Sequence, residues 1–207
     1  MPVQVRAACK GWFGAGRPHG RHRYRERCES PETAGLRFWA ERLCGQQRTD
    51  ALALLALGAG LGLTPREIVI SRGRHLHHDG KGGPVRHSGI TRELPLVAGS
   101  LWEETLGELA LNAGNLHLFR PHRTTPGKPN LISSWTERVR PGAGLPRLTA
   151  TRLRTTWIVS LMATRVDHGV IAKVAGLKSA ASLARYQHLV PQLDEETVIR
   201  LQRDARW

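Results

Sequence analysis

The sequence predicts a mainly α-helical domain with a small antiparallel β-sheet, an α+β arrangement, on three observations. Apolar residues recur at helical spacing through most of residues 31–204, and one stretch near residues 77–96 switches to short extended segments between turn residues. Hydrophobic residues make up 40% of the 207, enough for one sizeable core. Three parts are expected in chain order: a basic, Gly- and Arg-rich arm over 1–30, a folded body over 31–191 and a terminal helix over 192–207.

In the arm, Arg6, Lys10, Arg17, Arg21, Arg23, Arg25 and Arg27 face only Glu26 and Glu29, and Gly11, Gly14, Gly16, Pro18 and Gly20 break any helical period. A mobile basic arm is expected. Ser30-Pro31-Glu32 then opens a helix that carries Leu36, Trp39, Ala40 and Leu43 on one face as far as Gly45. Asp50 precedes residues 51–57, apolar nearly all round, which predict a buried central helix ended by Gly58 and Gly60. Thr64-Pro65-Arg66-Glu67 opens a short helix with Pro65 in its first turn.

Residues 77–84 form a turn cluster, after which segments 85–88 and 91–96 flank Gly89-Ile90 as a hairpin. Leu101, Trp102, Leu106, Leu109 and Ala113 restore helical spacing up to Gly114, and 121–129 and 141–146 are loops. One amphipathic helix follows on Leu153, Trp157, Ile158 and Leu161, a second on Val166, Val170, Ile171 and Val174, and a third over 179–188. The last helix, 192–204, lies behind Pro191, and its Asp194-Glu195-Glu196 start suits the positive end of the helix dipole.

Thirty-one Lys+Arg against 17 Asp+Glu leave a formal charge of +14. Such a chain repels itself unless it binds an anion, and nucleic acid is the commonest polyanion for it. Within 120–154, Arg120, Arg123, Lys128, Arg138, Arg140, Arg147, Arg152 and Arg154 face Glu137 alone. Double-stranded DNA is therefore the expected partner. The longest uncharged apolar stretch, 51–63, falls short of the roughly 20 residues a membrane span needs, and the first 16 residues lack a signal-peptide core. A secreted or integral membrane protein is excluded on this reading, and a cytoplasmic, nucleoid-associated one is expected.

Cys9, Cys28 and Cys44 are odd in number without C-x-x-C spacing, so reduced thiols are expected rather than a disulfide framework or zinc ribbon. His75, His77, His78 and Asp79 lie before Gly80-Lys81-Gly82-Gly83 without a second ligand group at zinc spacing, which reads as a solvated loop. No metal, cofactor or small-molecule substrate is expected.

Two segments carry a more specific signal. Thr151-Arg152-Leu153-Arg154-Thr155-Thr156-Trp157 precedes Gly176-Leu177-Lys178-Ser179-Ala180-Ala181-Ser182-Leu183-Ala184-Arg185-Tyr186, with 32 residues from Arg154 to Tyr186. Together they resemble the catalytic domain of tyrosine recombinases, the phage integrase family, in which an H-x-L-R-x-T helix start precedes a G-H-x-x-x-x-x-x-x-R-Y segment by this interval. Upstream, residues 55–68 are similar to the family's apolar helix leading into G-L-R-x-x-E, and Gly89 to Leu96, with Arg92 and Pro95, to its hairpin ending in R-x-x-P. The resemblance covers about residues 31–191.

It implies site-specific DNA recombination or integration, as in a mobile element, through a 3′-phosphotyrosyl link that needs neither metal nor ATP. Tyr186 would be the nucleophile and Arg154 a phosphate-binding arginine, whose planar fork bonds two phosphate oxygens at once. Three family positions are substituted: Thr64 stands for the first arginine, Thr151 for a histidine and Leu177 for another. Arg66, Lys81 and Arg92 are the compensating cations within reach in sequence. Losing one preorganised charge-stabilising donor costs roughly 2.7–4 kcal/mol of barrier, so activity is expected to be weakened or lost. The DNA surface would comprise Arg120, Arg123, Lys128, Arg138, Arg140, Arg147, Arg152, Lys178 and Arg185.

Two rival readings stand beside this. Residues 170–185 also look like a repressor helix-turn-helix, with Lys178, Ser179, Ser182 and Arg185 facing DNA and Tyr186 packing inward. Alternatively the chain is an inactive remnant that partners or regulates an active relative, docking through its last helix; on the recombinase reading that helix, 192–204, packs on a neighbouring protomer of a homo-oligomer on DNA.

Overall fold

The structure, a computed structural model, describes residues 30–78, 84–123 and 130–203. The basic arm up to residue 29, together with Lys81 and Lys128, lies outside the described residues. Helix α1 (Pro31–Glu41) starts where expected, with the Ser30 hydroxyl accepting from the Thr33 amide at 3.3 Å. Helix α2 (Gly45–Leu55) begins five residues before Asp50. Asp50 is no cap: it is buried on α2 and accepts from Gln46 Nε2 at 2.9 Å and from the Arg120 amide at 3.0 Å, tying the helix to a distant turn.

Nor does the chain stop at Gly58. It runs on through a π-helical turn (Ala56–Gly60), where the glycines permit close packing instead of ending the helix. A Cβ at Gly58 would lie 2.7 Å from Leu153 Cβ, and one at Gly60 would lie 2.8 Å from Trp102 Cβ. The core gathers around this stretch, with Leu54, Leu57, Leu61, Leu63, Ile158 and Ile171 fully buried. Each such side chain stabilises the fold by about 1.5–3 kcal/mol relative to exposure.

Helix α3 (Pro65–Ile70) follows. The sheet then differs from the expected single hairpin. Strands β1 (Leu76–His77), β2 (Arg86–His87) and β3 (Leu96–Val97) pair antiparallel in the order β1-β2-β3, so an additional strand precedes the expected hairpin and Gly89-Ile90 lies in the β2–β3 connection. Leu76, His87 and Leu96 stand in register on the buried face. Residues 91–95 are not a strand: Pro95 has no amide to donate, and Arg92 is drawn away from the sheet to α3.

Helix α4 (Glu103–Ala113) ends at Gly114, at φ +51°. Helix α5 (Leu131–Arg138), between the two expected loops, is an element that the sequence pattern does not signal; it buries Ile132, Trp135 and Thr136, with Trp135 edge-on to Phe119 at 5.7 Å. Helix α6 (Ala150–Ala163), capped by Thr149, packs on the π turn of α2. Helix α7 (His168–Ala175) is capped by Asp167 and stopped by Gly176 in the left-handed region. The expected third helix is a 3-10 segment, Ala180–Leu189, in which Leu183 and Tyr186 align three residues apart toward α6 and α7. Helix α8 (Glu195–Arg203) closes the chain and buries none of its residues. No described helix is long and apolar enough to cross a membrane.

Candidate active site

Arg154 sits in the second turn of α6, where two remote carbonyls hold its guanidinium. Its Nη1 donates to the Gly62 carbonyl and its Nη2 to the Ala175 carbonyl. Gly62 is required there: its φ is +64°, and a Cβ would come within 2.1 Å of the Trp157 ring. Ala175 is the last residue of α7, so Arg154 ties α6 to the turn before α3 and to the end of α7. Burial pulls its pKa below that of a free guanidinium, with Glu67 opposing and Arg92 adding to the effect, but a guanidinium stays charged at neutral pH.

Glu67 and Thr64 form a capping box at the start of α3. The Glu67 carboxylate accepts from the Thr64 amide at 2.7 Å, while the Glu67 amide donates to the Thr64 hydroxyl at 3.4 Å. The same carboxylate is paired with Arg92, both side chains about 15% exposed. Burial alone would raise the Glu67 pKa, but the Thr64 amide and hydroxyl and the Arg92 charge outweigh it and hold the carboxyl below its ordinary value. Arg92 Nε also donates to the Val174 carbonyl at 3.2 Å, one residue before the carbonyl that receives Arg154.

Beyond α7 the chain turns at Gly176, φ +62°, where a Cβ would lie 3.1 Å from Arg92 Cζ. The 3-10 segment that follows carries Tyr186, half-buried against the core, with the Arg185 guanidinium over its ring at 4.7 Å from the centroid. Tyr186 makes no hydrogen bond to another described residue, and its segment packs against α7 and against α6, the helix that carries Arg154. A half-buried phenol, a half-buried arginine and an arginine–glutamate pair thus gather around the C-terminus of α7.

No protein-family model matches the sequence, and no curated protein matches it. Solved structures do. The chain is similar to XerA recombinase with a TM-score of 0.58 and 18% identity, covering 93% of this chain and 68% of that one. Against XerH site-specific recombinase bound to a palindromic difH substrate, the TM-score is 0.59 at 15% identity, over 84% of this chain and 52% of XerH. Against the Tn1549 transposon integrase in complex with circular intermediate DNA, it is 0.56 at 12% identity, over 86% of this chain and 64% of the integrase.

The fold is that of a tyrosine recombinase catalytic domain. The chain spans between about half and two-thirds of the length of these relatives.

Within the recombinase fold the other residues singled out by sequence separate into groups. Arg66 is exposed and pairs with no described residue, whereas Arg92 donates to the carbonyl next to the one that receives Arg154; Lys81 lies outside the described residues. Thr151 is exposed in the first turn of α6, and Leu177 packs against the core. Arg138, Arg140, Arg147 and Lys178 are exposed without an acidic partner among the described residues, whereas Arg152 pairs with Glu32 at 2.8 Å. Arg123 is half-buried and donates to the Val69 carbonyl at 2.7 Å, and Arg120 holds a left-handed turn at φ +52°.

The helix-turn-helix reading loses its second α-helix, because a 3-10 segment follows the turn. Among the described residues no group of three or more His, Cys, Asp or Glu gathers as a metal site. Sequence reasoning missed Glu67 as the anchor of Arg92, although Thr64-x-x-Glu67 spells a capping box, and no local signal marks the Gly62, Val174 and Ala175 carbonyls.

Proposed function

We propose that this recombinase-fold domain binds duplex DNA and cuts and rejoins it through Tyr186, with Arg154 holding the scissile phosphate. The observation that carries the reading is the position of Arg154, fixed by the Gly62 carbonyl before α3 and by the Ala175 carbonyl at the end of α7, beside the turn leading to the segment that bears a half-buried tyrosine. The Tyr186 oxygen bonds to phosphorus as the bond to the 5′ oxygen breaks, and the phenolic proton ends on the released 5′ hydroxyl. The link is a 3′-phosphotyrosine, and attack by a 5′ hydroxyl reverses it. No bond energy is lost, so no external energy source is needed.

A guanidinium offers five N–H donors. Two of Arg154's are taken by carbonyls, and the rest have no partner among the described residues and suit the negative charge that builds on the pentavalent phosphorus. Thr151 and Leu177 bring no proton-transferring group, and general acid–base catalysis is worth about 10²–10⁴-fold, so the reaction is slow. Exposed Arg138, Arg140, Arg147 and Lys178 contact phosphates, and the apolar residues of α8 dock on a second copy or a recombinase relative assembled on DNA.

The test is incubation with nicked duplexes of pooled random sequence, in which the cut fragment diffuses away and traps the intermediate. A protein–DNA adduct that survives SDS and disappears in Tyr186→Phe supports the reading. Salt-sensitive DNA binding without any adduct overturns the chemistry and leaves a DNA-binding domain.

A further inference from the structure

We infer that Arg92 is the second phosphate-binding cation of this site, supplied by the β2–β3 connection because α3 has a capping threonine, Thr64, where it could have carried an arginine. The inference rests on the reading of Arg154 and Tyr186 given above. Its observational basis is convergence: Arg92 and Arg154 arrive from different parts of the chain and donate to consecutive carbonyls, Val174 and Ala175.

Charge is the first consideration. The end of a helix carries only about half a negative charge, which one cation neutralises. Here two guanidinium groups face that end with a single carboxylate, Glu67, paired to Arg92, so the cluster keeps a net positive charge while partly desolvated. Arg185, over the Tyr186 ring, adds to it. A clamp built only to hold α7 gains nothing from two like charges repelling each other in a low-dielectric setting. A bound phosphate monoanion relieves that repulsion.

Geometry is the second. Arg92 donates to Thr91, Val174 and Glu67, which leaves two of its five N–H donors without a partner among the described residues. Glu67 fixes the guanidinium, and Gly176 lies so near it that an added Cβ would stand 3.1 Å from its Cζ, so its orientation is set before any ligand arrives. Such preorganisation lets a cation stabilise developing charge without reorganising at the moment of reaction. Arg66, the arginine that α3 does carry, is exposed and unpaired among the described residues, and its removal serves as the control.

The experiment is titration of the full ¹⁵N-arginine-labelled chain with inorganic phosphate, reading the Arg92 and Arg154 side-chain signals by NMR. Both signals are expected to move with one dissociation constant. Arg92→Lys keeps a positive charge beside Glu67 but loses the fork, and it should weaken phosphate binding at Arg154 about tenfold or more, the worth of one charge-assisted hydrogen bond. Arg66→Ala should leave binding unchanged. If Arg154 moves while Arg92 stays still, Arg92 only braces α7 and the inference falls while the Arg154 reading stands. If neither moves, the phosphate-site reading falls with it. The wild-type titration decides between these even if Arg92→Lys fails to fold.

Discussion

Replacing Gly62 by alanine tests how the fold positions the site. The residue has φ +64°, where a side chain costs roughly 1–2 kcal/mol, and the new Cβ would stand 2.1 Å from Cε3 and 2.3 Å from Cδ2 of Trp157. Trp157 is only 5% exposed and cannot swing into solvent, so the overlap must be absorbed in the core, at about 1–3 kcal/mol for overpacking. The expected loss is about 2–5 kcal/mol. With a urea m-value of about 2 kcal/mol/M, the midpoint followed by tryptophan fluorescence falls by about 1–2.5 M. Function should fall further than stability, because the Gly62 carbonyl holds Arg154 and a displacement of about 1 Å costs about a hundredfold in rate. A loss below about 1 kcal/mol, or adduct formation at the wild-type rate in the folded variant, would refute the claim that this turn sets the position of Arg154.

Burial, then the positive charge of His75, holds the His87 pKa down to about 4 from 6.5, so the folded state keeps this imidazole neutral while the unfolded chain takes up a proton first. Its contribution to stability is present above pH 6.5 and is lost as pH falls toward 4, about 3 kcal/mol in all; His87→Gln should flatten that part of the stability–pH curve, measured by urea unfolding at pH 7 and pH 4.5. Substituting alanine for Arg138, Arg140 and Arg147 together should weaken DNA binding and reduce the slope of log affinity against log salt by about 0.9 for each phosphate no longer neutralised, with the melting temperature little changed. Because α8 buries nothing, Ile199→Glu with Leu201→Glu should leave the thermal melt of the free chain unchanged and reduce assembly of copies on DNA, read by native mobility shift.

The helices are legible because their apolar spacing coincides with what the core buries: Leu36 and Ala40 on α1, Leu153, Trp157 and Ile158 on α6, Ile171 on α7. Sequence misleads where a residue's partner lies far away along the chain. Asp50 looks like a helix start, yet its carboxylate serves the amide of Arg120, 70 residues on. Gly58 and Gly60 look like helix stops, but Leu153 and Trp102 press against them and the helix widens into a π turn instead. Helix α5 is hidden because eight residues between loops show only two turns of period, and its burial against Phe119 is a tertiary fact. At the candidate site, the interval singles out Arg154 and Tyr186, while the path that brings Arg92 rather than Arg66 to the end of α7 is one that no local pattern encodes.

Mass-spectrometric mapping of the protein–DNA adduct tests the central claim most directly. After reaction with nicked duplexes, proteolysis and nuclease trimming should yield one modified peptide, from the segment that follows Arg185, with a 3′-linked nucleotide on Tyr186, absent in Tyr186→Phe and strongly reduced in Arg154→Ala. A nucleotide on any other residue, or an adduct that persists in Tyr186→Phe, would contradict the account.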